Sequence, residues 1–178
     1  KVGSSNTNSS GVATLNIGSL ETNVYLIKAI AGNDCSVSND VFLPVYDPNG
    51  GFVTGGGWIN SPNGALVGTT TTGKANFGFV AKYKTGKNNL SQVDGNTNFQ
   101  FKEGDFHFKS SSHDDMSLVI SGEKKATYRG VGTVNGLGIH KFMVTVIDGN
   151  APGGDGIDRF RIKVWAHDSS NDVIYDNE

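Results

Sequence analysis

Between Gly51 and Tyr83 the chain reads GFVTGGGWINSP and, after a polar stretch, GKANFGFVAKY. Three consecutive glycines, Gly55, Gly56 and Gly57, interrupt a run otherwise made of β-formers. Glycine weakens a strand, so a triplet there marks a bulge, a bend or the close approach of other groups. In the second run Phe77, Phe79, Ala81 and Tyr83 share one face of a two-residue repeat. These two runs commit the segment to β-structure and make it the opening of an all-β module. Trp58, next to the triplet, is expected to pack into the space the glycines leave.

The same alternation continues downstream. It predicts strands over 52–60, 75–84, 97–102, 105–110, 117–121, 125–134, 139–147, 158–165 and 173–175. Phe99 pairs with Phe101 on one face, and Phe106 with Phe108. The intervening Lys102-Glu103-Gly104-Asp105 reads as a hairpin turn. In 158–165, Phe160, Ile162 and Val164 alternate with Arg159, Arg161 and Lys163, giving one core face and one solvated face. No stretch carries helical periodicity. The expected fold is all-β and antiparallel, a β-sandwich or partly closed barrel.

Before a break near Pro44–Gly51 come three further strand-like runs, 12–17, 24–31 and 37–45. The chain has 178 residues, enough for two units, and the division falls at 1–46 and 47–178. A unit of 46 residues with no disulfide or metal buries too little surface to stand alone. The first three strands are therefore expected to dock on the second module, to dimerise, or to borrow a strand. Charged residues are only 18%, the net charge is −2, and Ser, Thr, Asn and 25 glycines carry the polarity. That balance excludes an electrostatic pull toward nucleic acid. No run approaches the length of apolar residues a membrane helix requires, so membrane insertion is not expected. The single cysteine, Cys35, excludes an internal disulfide framework and reads as a small semi-buried residue.

The tail GVATLNIGSLETNVYLIKAIAGND resembles the last strands of a bacterial immunoglobulin-like repeat, over residues 1 to about 46. An immunoglobulin-like sandwich has about seven strands, so this domain is incomplete, and its earlier strands are expected upstream of Lys1. The ordered motifs GFVTGGGWINSP, GKANFGFVAKYK, FQFKEGDFHF, YRGVGTVNG, FMVTVIDG, GGDGIDRFRIKVW and VIYDNE resemble the post-COAP domain, a C-terminal β module of large secreted bacterial proteins. That resemblance covers roughly 48–178. It implies an extracellular or cell-surface setting, upstream repeats of the same polypeptide as neighbours, and no particular reaction.

Candidate chemistry is sparse. Gly153-Gly154-Asp155-Gly156-Ile157-Asp158 matches one copy of a calcium-binding nonapeptide repeat. A β-roll shares each ion between successive turns, so one copy cannot build that site. A different calcium site could draw on Asp148, Asp155 and Asp158 with loop carbonyls, since Ca²⁺ takes six to eight oxygens; turn geometry alone also explains the motif. His113-Asp114-Asp115 has metal-ligand types but reads as a solvated loop, and His107 reads as solvated opposite its phenylalanines. No nucleophile elbow of the G-x-S-x-G kind is present, and no helix follows Gly130-Val131-Gly132 to hold a phosphate. Aromatic residues could form a flat platform for a sugar ring, with Trp165 and Tyr175 the ligand-binding candidates. Core packing explains most of those rings.

Function is accordingly expected to be non-catalytic: a structural or adhesion module of a secreted or cell-surface bacterial protein, able to self-associate by strand addition. The alternatives are a carbohydrate-binding module with a glycan partner and an accessory domain of a secreted hydrolase.

Overall fold

The computed structural model describes residues 3–20, 23–27, 29–31, 36–38, 41–45, 51–84 and 91–178. Cys35 and the boundary residues 46–50 lie outside them. The described residues form thirteen strands and one short 3-10 turn. The tail contributes β1 (Asn23–Ile27), β2 (Ile30–Ala31), β3 (Ser36–Val37) and β4 (Val41–Val45). β1 pairs with β4 and β2 with β3, all antiparallel. Two of the three expected tail runs thus fold against each other as an interrupted hairpin.

The third run, 12–17, forms no strand. The Asn8 side chain accepts from the backbone N–H of Ser10 and Val12, closing a tight turn, and only an isolated bridge joins Thr7 to Ala13. A strand has no hydrogen bonds of its own, so β-propensity without a partner edge leaves this run irregular.

The main sheet has nine strands: β5 (Phe52–Ser61), β6 (Gly73–Tyr83), β7 (Val93–Phe101), β8 (Phe106–His113), β9 (Val119–Ser121), β10 (Lys125–Val134), β11 (Leu137–Ile147), β12 (Arg159–Ala166) and β13 (Val173–Asp176). Their order is β13-β12-β11-β10-β8-β7-β6-β5, with β9 pairing along β10 beyond the end of β8. Neighbours are antiparallel throughout. The turn between β7 and β8 is a single 3-10 turn, Lys102–Gly104, closed by Asp105 in the left-handed conformation.

The sheet is not flat. Phe77 of β6 stacks on Phe160 of β12 with ring centroids 3.8 Å apart. Phe99 of β7 meets Tyr175 of β13 at 4.8 Å, and Phe106 meets it at 5.1 Å. Strands far apart in the hydrogen-bonding order therefore face one another, and the sheet curls into a partly closed, all-β antiparallel barrel. Its interior is the row of alternating apolar residues: Phe99, Phe101, Phe108, Phe142, Val144, Ile162 and Val164 are all fully buried. Burying these rings removes a large apolar area from water, and offset and tilted ring contacts add to it.

The two ends of the seam differ. At one end the segment after β5 crosses to β13: Val67 N–H donates to the Ile174 carbonyl (3.0 Å), Asp176 N–H donates to the Ala65 carbonyl (2.8 Å), and the Ser61 hydroxyl meets the Tyr175 hydroxyl at 2.9 Å. At the other end nothing among the described residues joins β5 to β12, and the seam stays open.

Candidate functional site

The open end of the seam is a groove of about 860 Å³, within the 300–1,000 Å³ usual for binding sites. One wall is β5 from Phe52 to Ile59. The floor is apolar: Phe77, Phe79 and Phe160, with Ile120 and Val146 behind them. Most of these side chains are half-buried, packed on the core from one side only. The rim carries both signs of charge, from Glu123, Lys124, Lys125, Asp148, Asp158 and Arg159.

The glycine triplet makes this groove. Register places Gly55 opposite Phe79 and Gly57 opposite Phe77, on the inner face. A Cβ at Gly55 would lie 2.6 Å from Phe79 Cζ, and one at Gly57 3.4 Å from Phe77 Cζ. The phenylalanine rings swing over bare backbone, an aromatic covering of glycines that keeps the inner face of β5 without side chains there. The expectation for Trp58 is corrected at this point. The space beside the glycines belongs to Phe77 and Phe79, while Trp58 is on the outer face, 58% exposed, with Lys74 Nζ 5.1 Å from its ring centroid. Phe52 shares that outer face at 64% exposure.

β5 is also an edge. Among the described residues it pairs with β6 alone. The facing edge of β12 is treated differently. Asn177 acts there in place of a strand, accepting from Ile162 N–H (2.8 Å) and donating to the Phe160 carbonyl (2.9 Å). Arg161 holds Asp176 and Glu178 alongside at 2.8 and 2.7 Å.

The three aspartates proposed for calcium stand in the loop between β11 and β12, which borders the groove. Each is exposed and has its own local duty. Asp148 Oδ1 accepts from the N–H groups of Asn150 and Ala151. Asp158 Oδ1 accepts from Gly149 N–H at 2.9 Å. Asp155 forms a two-pronged pair with Arg159 (3.0 and 2.6 Å), whose hydrogen bonds pull its carboxyl pKa down to about 2. Among the described residues no three His, Cys, Asp or Glu side chains are placed to hold a metal ion. The loop closes instead through its backbone: Gly156 N–H donates to the Gly149 carbonyl, and a Cβ at Gly149 would fall 2.1 Å from Ile157 N. Of the glycines of GGDG, Gly154 serves this close approach, a Cβ there falling 2.1 Å from the Gly149 carbonyl oxygen, while Gly153 and Gly156 take left-handed turn conformations.

The sugar platform is not assembled. Tyr175 is fully buried, and burial pushes its hydroxyl pKa up to about 12 against the opposing hydrogen bond from Ser61. It belongs to the core, because register pairs it with inward Val164, whereas Trp165 is half-buried on the opposite face. Tyr128 and Tyr83 are buried as well, bonded to the Thr97 hydroxyl and the Leu118 carbonyl.

Of the histidines, His107 is exposed as expected. His113 is not a loop residue: it ends β8 opposite Gly130, its ring 5.5 Å from Tyr128 and 5.7 Å from Phe142. Burial lowers its pKa, against the pull of Asp94 and Asp114. The groove itself had a signal in the sequence, the glycine triplet; the open edge of β5 had none.

No protein-family model, curated protein or solved structure matches this chain.

Proposed function

We propose that the protein is a non-catalytic structural or adhesion module of a secreted or cell-surface bacterial protein, which assembles by accepting an extended segment into its open seam. The observation that carries this is the unpaired edge of β5 beside an apolar groove. An edge strand offers a row of free N–H and C=O groups, and strand addition satisfies them while alternate side chains enter the groove. The ordered motifs that resemble the post-COAP domain support the extracellular setting, with upstream repeats of the same polypeptide as neighbours.

The test uses a Trp165→Phe chain, so that emission reports Trp58 alone. It is titrated with an uncharged peptide of about eight residues that alternates apolar and polar side chains, and with the same peptide carrying prolines, which cannot pair. Binding of the first and not the second, seen as a blue shift, is expected. Failure of every strand-forming peptide to bind, or turnover of a polysaccharide or peptide by the purified chain, overturns the reading.

A further inference from the structure

Among the described residues no strand lies along the β5 side of the groove, and the same chain carries a strand-like run that joins no sheet. Residues 12–17, Val-Ala-Thr-Leu-Asn-Ile, have the composition of a strand, yet among the described residues the only β-bridge in this stretch is that of Ala13 to Thr7. Val12 is 56% exposed, Leu15 45% and Ile17 39%. Exposed apolar side chains in a β-prone run are normally avoided. Resting on the strand-addition reading above, we infer that the groove receives the Val12–Ile17 segment of a second copy of this chain, added along the free edge of β5.

The two halves fit in length, pattern and charge. Six extended residues span about 20 Å, and the open stretch from Phe52 to Trp58 about 23 Å. Ala13, Leu15 and Ile17 share one face of such a strand and enter the groove over Phe77, Phe79 and Phe160. Gly55 and Gly57 add no side chains of their own on that face, so the incoming residues meet the rings of Phe77 and Phe79 directly. Val12, Thr14 and Asn16 then lie outward between Phe52 and Trp58, where β-branched and aromatic side chains pair well across strands. Residues 3–20 contain no charged side chain, so the mixed-charge rim neither repels the segment nor requires a partner from it.

Addition occurs on β5 because Asn177 already occupies the backbone groups of Phe160 and Ile162 across the seam. A second copy is the donor because none of residues 12–17 lines this chain's own groove, which leaves donor and acceptor unfilled together among the described residues. Each copy then gives one strand and takes one. That contact is head-to-tail, and unless the rotation closes it builds open chains.

The experiment is hydrogen exchange with sedimentation on the full chain across a wide range of concentration, repeated on Leu15→Arg/Ile17→Arg. Both replaced side chains are exposed, so the variant keeps its fold. Amides of 12–17 and 52–58 are expected to gain protection together as concentration rises, in step with association. The double variant is expected to weaken association by at least about tenfold and to expose both segments again. Joint protection in a monomer at every concentration would place the strand in its own groove and overturn the inference. Protection of 52–58 alone would mean edge-to-edge pairing of β5, and an unprotected monomer would mean no exchange; either overturns it. In each of those cases the double variant is titrated with the alternating peptide. Binding there leaves the strand-addition reading standing without this donor, and no binding removes both.

Discussion

Ser61 and Tyr175 test whether the seam is closed at one end as well as open at the other. Tyr175 is fully buried and Ser61 is 1% exposed, and their hydroxyls meet at 2.9 Å between the end of β5 and β13. Tyr175→Phe keeps the ring against Phe99 and Phe106 but leaves the Ser61 hydroxyl buried without this partner. Such a group costs about 1–3 kcal/mol, and Ser61→Ala strands the tyrosine hydroxyl at a similar cost. Removing both at once leaves no orphan. The double variant is therefore expected to lose less than the two single losses combined, by about 1–2 kcal/mol. For a chain of this size a loss of about 2 kcal/mol lowers Tm by about 4–8 °C. Urea titration of the four proteins, with calorimetry, reads the cycle.

Alkaline pH gives the same pair a second readout. The Tyr175 pKa is about 12 in the folded protein and about 10 when unfolded. Above pH 10 the unfolded chain loses this proton while the native chain keeps it, so stability falls as pH rises from about 10 toward 12. Tyr128, also raised by burial, contributes in every variant; the part that vanishes in Tyr175→Phe belongs to Tyr175. Additive single losses, or a Tyr175→Phe protein within about 0.3 kcal/mol of the parent, would refute closure through this contact.

Two further outcomes follow from the placement of charged groups. Burial lowers the His113 pKa, so below about pH 6.5 the unfolded chain takes up a proton that the folded one resists; stability should decline as pH falls through that point, and His113→Phe should flatten the decline in urea midpoints between about pH 7 and 5. Because Asp148, Asp155 and Asp158 are engaged in their own turns and ion pair, added calcium should leave Tm unchanged relative to EDTA, and a rise with calcium concentration would reveal a site that these bonds give way to.

Much of the barrel was legible because its interior is built by strict alternation. The strand over 125–134 lies where the pattern put it, and Phe99, Phe101, Phe106 and Phe108 all point inward. Alternation, however, fixes only which residues share a face, not which face is buried. In β5 the inner positions opposite Phe77 and Phe79 are glycines, so the bulky Phe52 and Trp58 mark the outside and invert the usual signal. Tyr175 sits in a strand of four residues, too short for its parity to show. The sequence pattern ends this strand at Ser110 and so reads His113 as a loop residue; a register shift between Ser110 and Ser112 carries β8 on to it. The three aspartates of the candidate calcium site are not brought together, for a different reason. Asp and Gly are the residues of tight turns as much as of cation loops, and only the bonds they make distinguish the two.

The free edge of β5 is informative because of what it lacks. Proteins protect edge strands with lysines, prolines, bulges or covering chain. The far edge of this sheet is protected in that way: β13 is bridged by residues 65–67, Asn177 covers β12, and Arg161 and Lys163 share Asp176 beside it. From Phe52 to Trp58 there is no lysine, no proline and no bulge, and two large aromatic side chains stand out into solvent. One edge of the same sheet is guarded, and the other is smooth, apolar and backed by a groove whose β5 wall has glycine at its inner positions 55 and 57. A side chain at Gly55 would displace the ring of Phe79, since a Cβ there falls 2.6 Å from its Cζ, and one at Gly57 would crowd Phe77. The glycines at 55 and 57 are thus required by the rings of Phe77 and Phe79 that lie over them, and the same bare backbone leaves the inner face of this edge without side chains.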